Sequence, residues 1–410
     1  MKIFQILILI IFVVTTSTAC AADKIVVTNN LSKNVNSFSR NYFSTLDKTK
    51  NIFYSPYSIA AAFSIVANGA TGKTQKEILA ALNAKSVNDL NDEFKNFQKY
   101  VKKNYGGGTL LNVSDLILVN KNYIGKGINS KFKRIVEEVY HSELEEADFV
   151  GNLEDEKARI QSWVARSTNA FITDYEASID ADTIVDILDV IYFKGKWNSA
   201  FDTSKTWKSN FKNNDGTTSK VQMMSKTFED SMVYYTDGKY IGIVMPYQKN
   251  LAAMYLILPI DENNLNVAES WDAETISYRE NFLSNLNNAG TYEGKVEVFV
   301  PKFELDIKAD LNEKLQAMGI NLAFTDNAEF YNIVKKMQLK ISKAIHQAKI
   351  KVDESGTEAA AVTEITMLES MAVATPPKTI YFRADRPFLF FIRDVQSEID
   401  LFTGVVNELK

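Results

Sequence analysis

SGTEAAAVTEITMLESMAVATPP, residues Ser355–Pro377, is the stretch on which the reading of this chain turns. It holds small residues and threonines, no lysine or arginine, and neither a helical nor a strand period. A long irregular stretch inside a compact chain is usually functional. The portion Ala359-Ala360-Ala361-Val362-Thr363 has the small and β-branched side chains that fit between two strands. An exposed loop able to become a strand stores conformational energy.

Composition frames that segment. The chain has 410 residues, 46% hydrophobic and 24% charged. Those fractions are typical of a globular protein and exclude whole-chain disorder or a fibrous repeat. Past a leader of ~20 residues, roughly 390 remain, enough for two or three ordinary domains or one large one. No internal repeat or low-complexity linker divides them, and the few scattered prolines and glycines disfavour beads on a string. A net charge of −5 supplies no basic field for nucleic acid. The single cysteine, Cys20, lies in the leader, so the mature chain has no disulfide, cysteine nucleophile or thiolate metal site. His141 and His346 are the only histidines, which excludes a His-rich metal site. No metal and no cofactor are expected.

The leader itself has a basic start at Lys2, an apolar run Ile6–Val14 and a small-residue end, Ala19-Cys20-Ala21. That is a secretory signal peptide over 1–21. The run is too short to span ~30 Å of hydrocarbon as a helix, so the expected product is secreted, extracellular and not membrane-bound. Two glycosylation sequons follow: Asn30-Leu31-Ser32, placed before the first helix, and Asn112-Val113-Ser114, at a strand edge.

Helical and strand patterns intermix along the rest. Ser55-Pro56 before Tyr57–Phe63 reads as an N-cap, an N1 proline and a buried helix. Asp89–Tyr105 is a second helical stretch. Ile184–Phe193 is apolar and β-branched, as a buried central strand should be. Further strand runs lie within Leu251–Pro259, Val296–Phe303 and Ile380–Ile392.

Other motifs carry less. Ala67–Thr74 fits a relaxed phosphate-loop pattern, but the loop's physics needs a preceding strand, and an N-capped helix stands there. His346 sits among residues alternating toward a core, where a lone histidine is usually hydrogen-bonded filling. With no GxSxG elbow, a serine hydrolase is disfavoured, and the chain is not expected to be an enzyme. Lys95, Lys99, Lys102 and Lys103 share one helical face. That stripe suits a heparin-like polyanion, although Asp92 and Glu93 dilute it, and the plainer reading is a solvated face.

Several segments in order resemble the serpin family over essentially the whole mature chain. Asn51–Ile59 resembles its early-helix signature, and Tyr192–Trp197 the end of its third central strand. Val300–Phe303, Leu311–Ile320, Asp353–Thr363 and Asp385–Ile392 then follow in the family's order. The resemblance implies an α+β fold: one serpin domain over 22–410, with three β-sheets, about nine helices and an exposed reactive-centre loop near 354–380. It implies a suicide-substrate inhibitor, a monomer whose partner is a target endopeptidase. The protease forms an acyl-enzyme on the loop, which then inserts into the main sheet and distorts it. The alternative is a non-inhibitory serpin-fold binding or storage protein.

The resemblance assigns residues. The hinge is Gly356, Thr357, Glu358, Ala359, Ala360, Ala361, Val362 and Thr363, small where insertion needs it, which favours an inhibitor. Family spacing sets the scissile bond at Ser370-Met371, with Met367, Leu368, Met371 and Ala372 open as other P1 positions. No Lys or Arg lies between Val352 and Pro377. Trypsin-like pockets want a cationic P1, so elastase-, chymotrypsin- or subtilisin-like targets are favoured, and papain-like ones stay open. Trp197, Lys302 and Glu354 match the breach, where the loop enters, with a Lys302–Glu354 salt bridge. Ser55, Ser58 and His346 match the shutter beneath the opening strands. There the family's Asn is replaced by Asp189, expected to pair with His346 and to favour a charged ring.

Overall fold

The computed structural model describes residues 29–125, 127–357 and 378–410. The leader 1–21 with Cys20, the hinge residues Glu358–Thr363 and the Ser370-Met371 bond lie outside the described residues.

Nine α-helices occur among the described residues: α1 (Asn29–Ser44), α2 (Pro56–Gly69), α3 (Gly72–Ala81), α4 (Val87–Asn104), α5 (Ser130–Val139), α6 (Leu153–Ser167), α7 (Val267–Asp272), α8 (Ile276–Asn288) and α9 (Asn312–Ala317). Sixteen strands among the described residues form three sheets. The main sheet runs in the order β11 (Phe303–Asp310), β12 (Ile341–Asp353), β13 (Gly356–Thr357), β4 (Val185–Lys196), β2 (Thr109–Asn120), β3 (Glu143–Ala147). A second six-stranded sheet runs β1 (Ile52–Tyr54), β16 (Asp400–Val406), β15 (Phe388–Asp394), β9 (Ala252–Pro259), β8 (Tyr240–Pro246), β7 (Val233–Thr236). A smaller one runs β14 (Ile380–Arg383), β10 (Lys295–Pro301), β6 (Thr218–Glu229), β5 (Thr206–Lys212). This is the α+β arrangement of helices and three sheets that the resemblance implies.

Helix α2 shows why the sequence folds this way. The Ser55 hydroxyl caps it by accepting from the Ser58 N–H at 3.1 Å, and Pro56 occupies the first turn, where no N–H is needed. All its residues are buried, as expected of a helix without a polar face. It packs against α1, α3, α4, β4 and β16. Strand β4 is covered on both sides. Ile187, Ile191 and Phe193 face the principal core, while Leu188 and Val190 face a second cluster with Trp163 of α6. Two buried faces explain its almost unbroken apolar run.

The structure refines several sequence expectations. The helix read from Asp89 begins at Val87, capped by Ser86. The run at Val296–Phe303 divides at Lys302, whose N–H donates to Gln222, so β10 and β11 join different sheets. Asn30 does not precede the first helix. It lies exposed in the first turn of α1, because the amphipathic pattern of Leu31, Val35 and Phe38 reaches back to it. Ala67–Thr74 joins two helices. The Glu329 carboxylate accepts from the N–H groups of Lys73 (2.5 Å) and Thr74 (3.3 Å), filling the place a phosphate would need.

Candidate functional site

The site lies along the seam between β12 and β4. Below, the two strands pair directly in parallel, from Ile341–Val185 to Ala348–Ile191. Above, the chain leaves β12 at Asp353, turns through Glu354-Ser355 and re-enters the sheet as β13. The Asp353 carboxylate accepts from the Ser355 N–H at 2.8 Å and holds the turn. Gly356 and Thr357 then pair with Asp353 and Val352 on one side and with Lys196 and Gly195 on the other. The first two hinge residues are therefore seated between the strands.

Only glycine fits position 356. Its φ is +148°, and an added Cβ would come within 2.0 Å of the Gly195 carbonyl oxygen. Thr357 is buried, with its hydroxyl 2.7 Å from the Tyr247 hydroxyl. Burial pushes the Tyr247 phenol well above its ordinary range, so it acts here as a neutral hydrogen-bonding group.

Trp197, Lys302 and Glu354 meet around the turn. Trp197 stacks on Tyr247 at 4.6 Å, its indole N–H donates to the Asp353 carbonyl (3.0 Å), and its backbone N–H donates to Ser355 (2.9 Å). Lys302 Nζ lies 2.8 Å from Glu354, which also accepts from the Thr206 hydroxyl at 2.8 Å. Burial raises the Glu354 carboxyl. The hydrogen bonds from Lys302, its own backbone and Thr206, with the Lys302 charge, outweigh this and hold it below its ordinary value. A depressed carboxylate contributes in full above its unfolded value and loses that contribution as pH falls through the folded one. Acid below about pH 4.5 should therefore loosen the turn. In urea titrations, wild type should exceed Glu354→Gln by about 1 kcal/mol at neutral pH. The gap should shrink as pH falls below about 4.5 and through the folded value. A gap that stays constant with pH would count against the ion pair.

Lower on the seam, Ser55, Ser58, Asp189 and His346 come together, all buried. His346 Nδ1 is 2.7 Å from Asp189 Oδ2, and the Ser58 hydroxyl donates to Asp189 Oδ1. The expected pair is present, but the charged ring is not. The Ser55 backbone N–H donates to His346 Nε2 at 3.0 Å, so Nε2 must be an acceptor. The ring is the neutral tautomer with its proton on Nδ1.

Two participants escaped the sequence reading. Tyr247 touches both Trp197 and Thr357, yet lies at an unremarkable loop start. Asp115 on β2 is the cross-strand partner of Asp189 and equally buried. Burial and the Asp189 charge push its carboxyl well above the usual range, against the Ser142 hydrogen bond. Its signal was legible as an acid in phase with the inward-facing Ile117 and Val119.

The other candidates stand apart. Lys95, Lys99, Lys102 and Lys103 are exposed on α4, opposite its buried Phe94, Phe97 and Tyr100, and make no ion pair among the described residues. Asn30 and Asn112 are both exposed, and the Asn112 side-chain amide donates to the Ser167 carbonyl at 2.8 Å. No helix among the described residues is long and apolar enough to cross a membrane.

Comparison with known proteins agrees with this geometry. The family model described as serpin (serine protease inhibitor) matches residues 33–409. The chain is 31% identical over 387 residues to Iris of Ixodes ricinus, covering 93% of this chain and 99% of that protein. It is 32% identical over 375 residues to intracellular coagulation inhibitor 2 of Tachypleus tridentatus, covering 89% and 87%. Among solved structures, the native thermophilic serpin tengpin superposes with a TM-score of 0.82 at 26% identity, covering 94% and 95%.

Proposed function

The chain belongs to the serpin family, and on that premise we propose that it is a secreted suicide-substrate inhibitor of a serine or papain-like endopeptidase. The observation that carries the reading is the seating of Gly356 and Thr357 as β13 between β12 and β4. The sequence that follows, Glu358-Ala359-Ala360-Ala361-Val362-Thr363, has mostly small or β-branched side chains suited to extending that strand.

The proposed reaction is an interrupted proteolysis. The target's hydroxyl or thiol adds to the Ser370 carbonyl, and the bond to Met371 breaks. The new Met371 amine takes the proton, and Ser370 stays esterified to the enzyme. Residues beyond Thr357 then zip into the seam and carry the enzyme away before water reaches the ester or thioester. The cation-free stretch between Val352 and Pro377 favours elastase-, chymotrypsin- or subtilisin-like targets over trypsin-like ones. The exposed, unpaired lysines of α4 support a heparin-like polyanion as a second partner. Removal of 1–21, glycans at the exposed Asn30 and Asn112, and a monomeric state complete the proposal.

The test uses protein collected from the medium of an expressing eukaryotic culture, with its intact mass and N-terminus determined. It is mixed with elastase, chymotrypsin, subtilisin, trypsin and a papain-like enzyme, with and without heparin. An SDS-stable complex and a released peptide beginning at Met371 are expected. A different start would move the bond. Cleavage by every enzyme with no complex would favour a non-inhibitory binding protein.

A further inference from the structure

Asp115 and Asp189 face each other across β2 and β4, each only 1% exposed. Strand alternation puts both side chains on the face with Ile117, Ile187 and Ile191, toward α2. Their partners are unequal. Asp189 receives the Nδ1–H of His346 and the hydroxyl of Ser58. Asp115 receives the Ser142 hydroxyl on Oδ2 at 2.9 Å, and its Oδ1 has no partner among the described residues.

The elements packed around the pair bring no cation. From β12 comes the neutral ring of His346, and from α2 come Tyr57, Ser58 and the Ser55 amide. Beyond α5 stand Tyr140 and Ser142, and from α1 comes Tyr42, beside Asp310 of β11. Burial pushes the phenols of Tyr42, Tyr57 and Tyr140 above their ordinary range, so all three are neutral. No lysine or arginine forms an ion pair with either aspartate among the described residues. Two full negative charges side by side, buried and without a counterion, would be strongly disfavoured.

We propose that Asp115 and Asp189 hold one proton between them, and that losing it loosens the β4–β12 seam. The proton resides on Asp115, the carboxyl with fewer donors, and Asp189 keeps the charge that His346 and Ser58 solvate. Asp115 is raised by burial first and by the Asp189 charge second. A raised group contributes in full below its unfolded value, about 3.9, and loses that contribution as pH rises through the folded value. Beyond it the second charge faces the first. Parting β4 from β12 brings water and strand N–H groups to both carboxylates, so alkaline pH favours the open seam. The proton sharing is independent of the inhibitor reading. Only its consequence for loop insertion rests on that reading.

The experiment uses the uncleaved protein, wild type, Asp115→Asn and Asp189→Asn. Thermal midpoints are recorded at one scan rate from pH 5 to 9. Uptake of a synthetic peptide of residues 357–368 is followed alongside by native electrophoresis. Asp186 of β4 is also buried, raised to about 7, and adds a slope of its own, so differences between variants are read. The wild-type midpoint should fall with pH by roughly 3 °C more than that of Asp115→Asn, and peptide uptake should quicken only in wild type. Asp189→Asn should flatten both profiles too, and it serves alone if Asp115→Asn does not fold. A wild-type slope in either variant would overturn the proposal. If no protease forms a complex but the midpoints behave as described, the proton sharing stands and the inhibitor reading falls.

Discussion

Thr357→Arg is expected to turn this protein from an inhibitor into a substrate. Thr357 is buried, hydrogen-bonded to Tyr247 and paired with both neighbouring strands. An arginine there would have to bring a guanidinium into the buried site between Tyr247 and Gly195. An unpaired buried charge costs several kcal/mol. A barrier raised by about 3 kcal/mol slows insertion about 100-fold. Deacylation does not involve this residue, so it keeps its rate and wins. The cleaved inhibitor should accumulate, and the number of inhibitor molecules consumed per protease inactivated should rise steeply. Thr357→Ser, which keeps a hydroxyl at that position, should inhibit normally. A wild-type yield of SDS-stable complex from Thr357→Arg would refute the account.

Cleavage alone should have the second large effect. The ladder across the seam consists of β12 on β4 below and β13 above, so one added strand gains neighbours on both sides. About ten inserted residues, each adding a net hydrogen bond near 1 kcal/mol, stabilise the cleaved form by about 10 kcal/mol. In a chain of this size that should raise the thermal midpoint by roughly 10–20 °C. Limited proteolysis of the loop followed by calorimetry reads it directly. Cleaved Thr357→Arg should gain much less, because its strand cannot start. Equal midpoints for intact and cleaved wild type would mean the loop stays out and would favour a binding role.

What the sequence disclosed divides along a physical line. Ser55-Pro56 is a local signal, since the cap and the helix it starts are neighbours in the chain, and α2 was legible from them. The apolar run of β4 was legible for the same reason. Trp197, Lys302 and Glu354 were found through family motifs, and the structure brings them together at the turn. Tyr247 reaches Thr357 across 110 residues, and no local pattern announces such a contact. Asp115 stood in plain view as an acid in an apolar strand, but its meaning depends on β2 lying beside β4 in one register. The charge of His346 was misread because the deciding donor is a backbone N–H, that of Ser55, which carries no side-chain signal.

The pairing of β1 with β16 has a consequence for synthesis. Ile52 is the partner of Val405, and Phe53 stacks on Phe402 and Phe390. Those partners are translated roughly 340–350 residues later, which at about 5–20 residues per second is a wait of roughly 17–70 s. Through that interval the Ile-Phe-Tyr edge and the part of α2 that packs on β16 lack their native partner. The nascent chain is thus at its most adhesive over that interval. Emergence of the β15–β16 hairpin becomes the event that closes the second sheet.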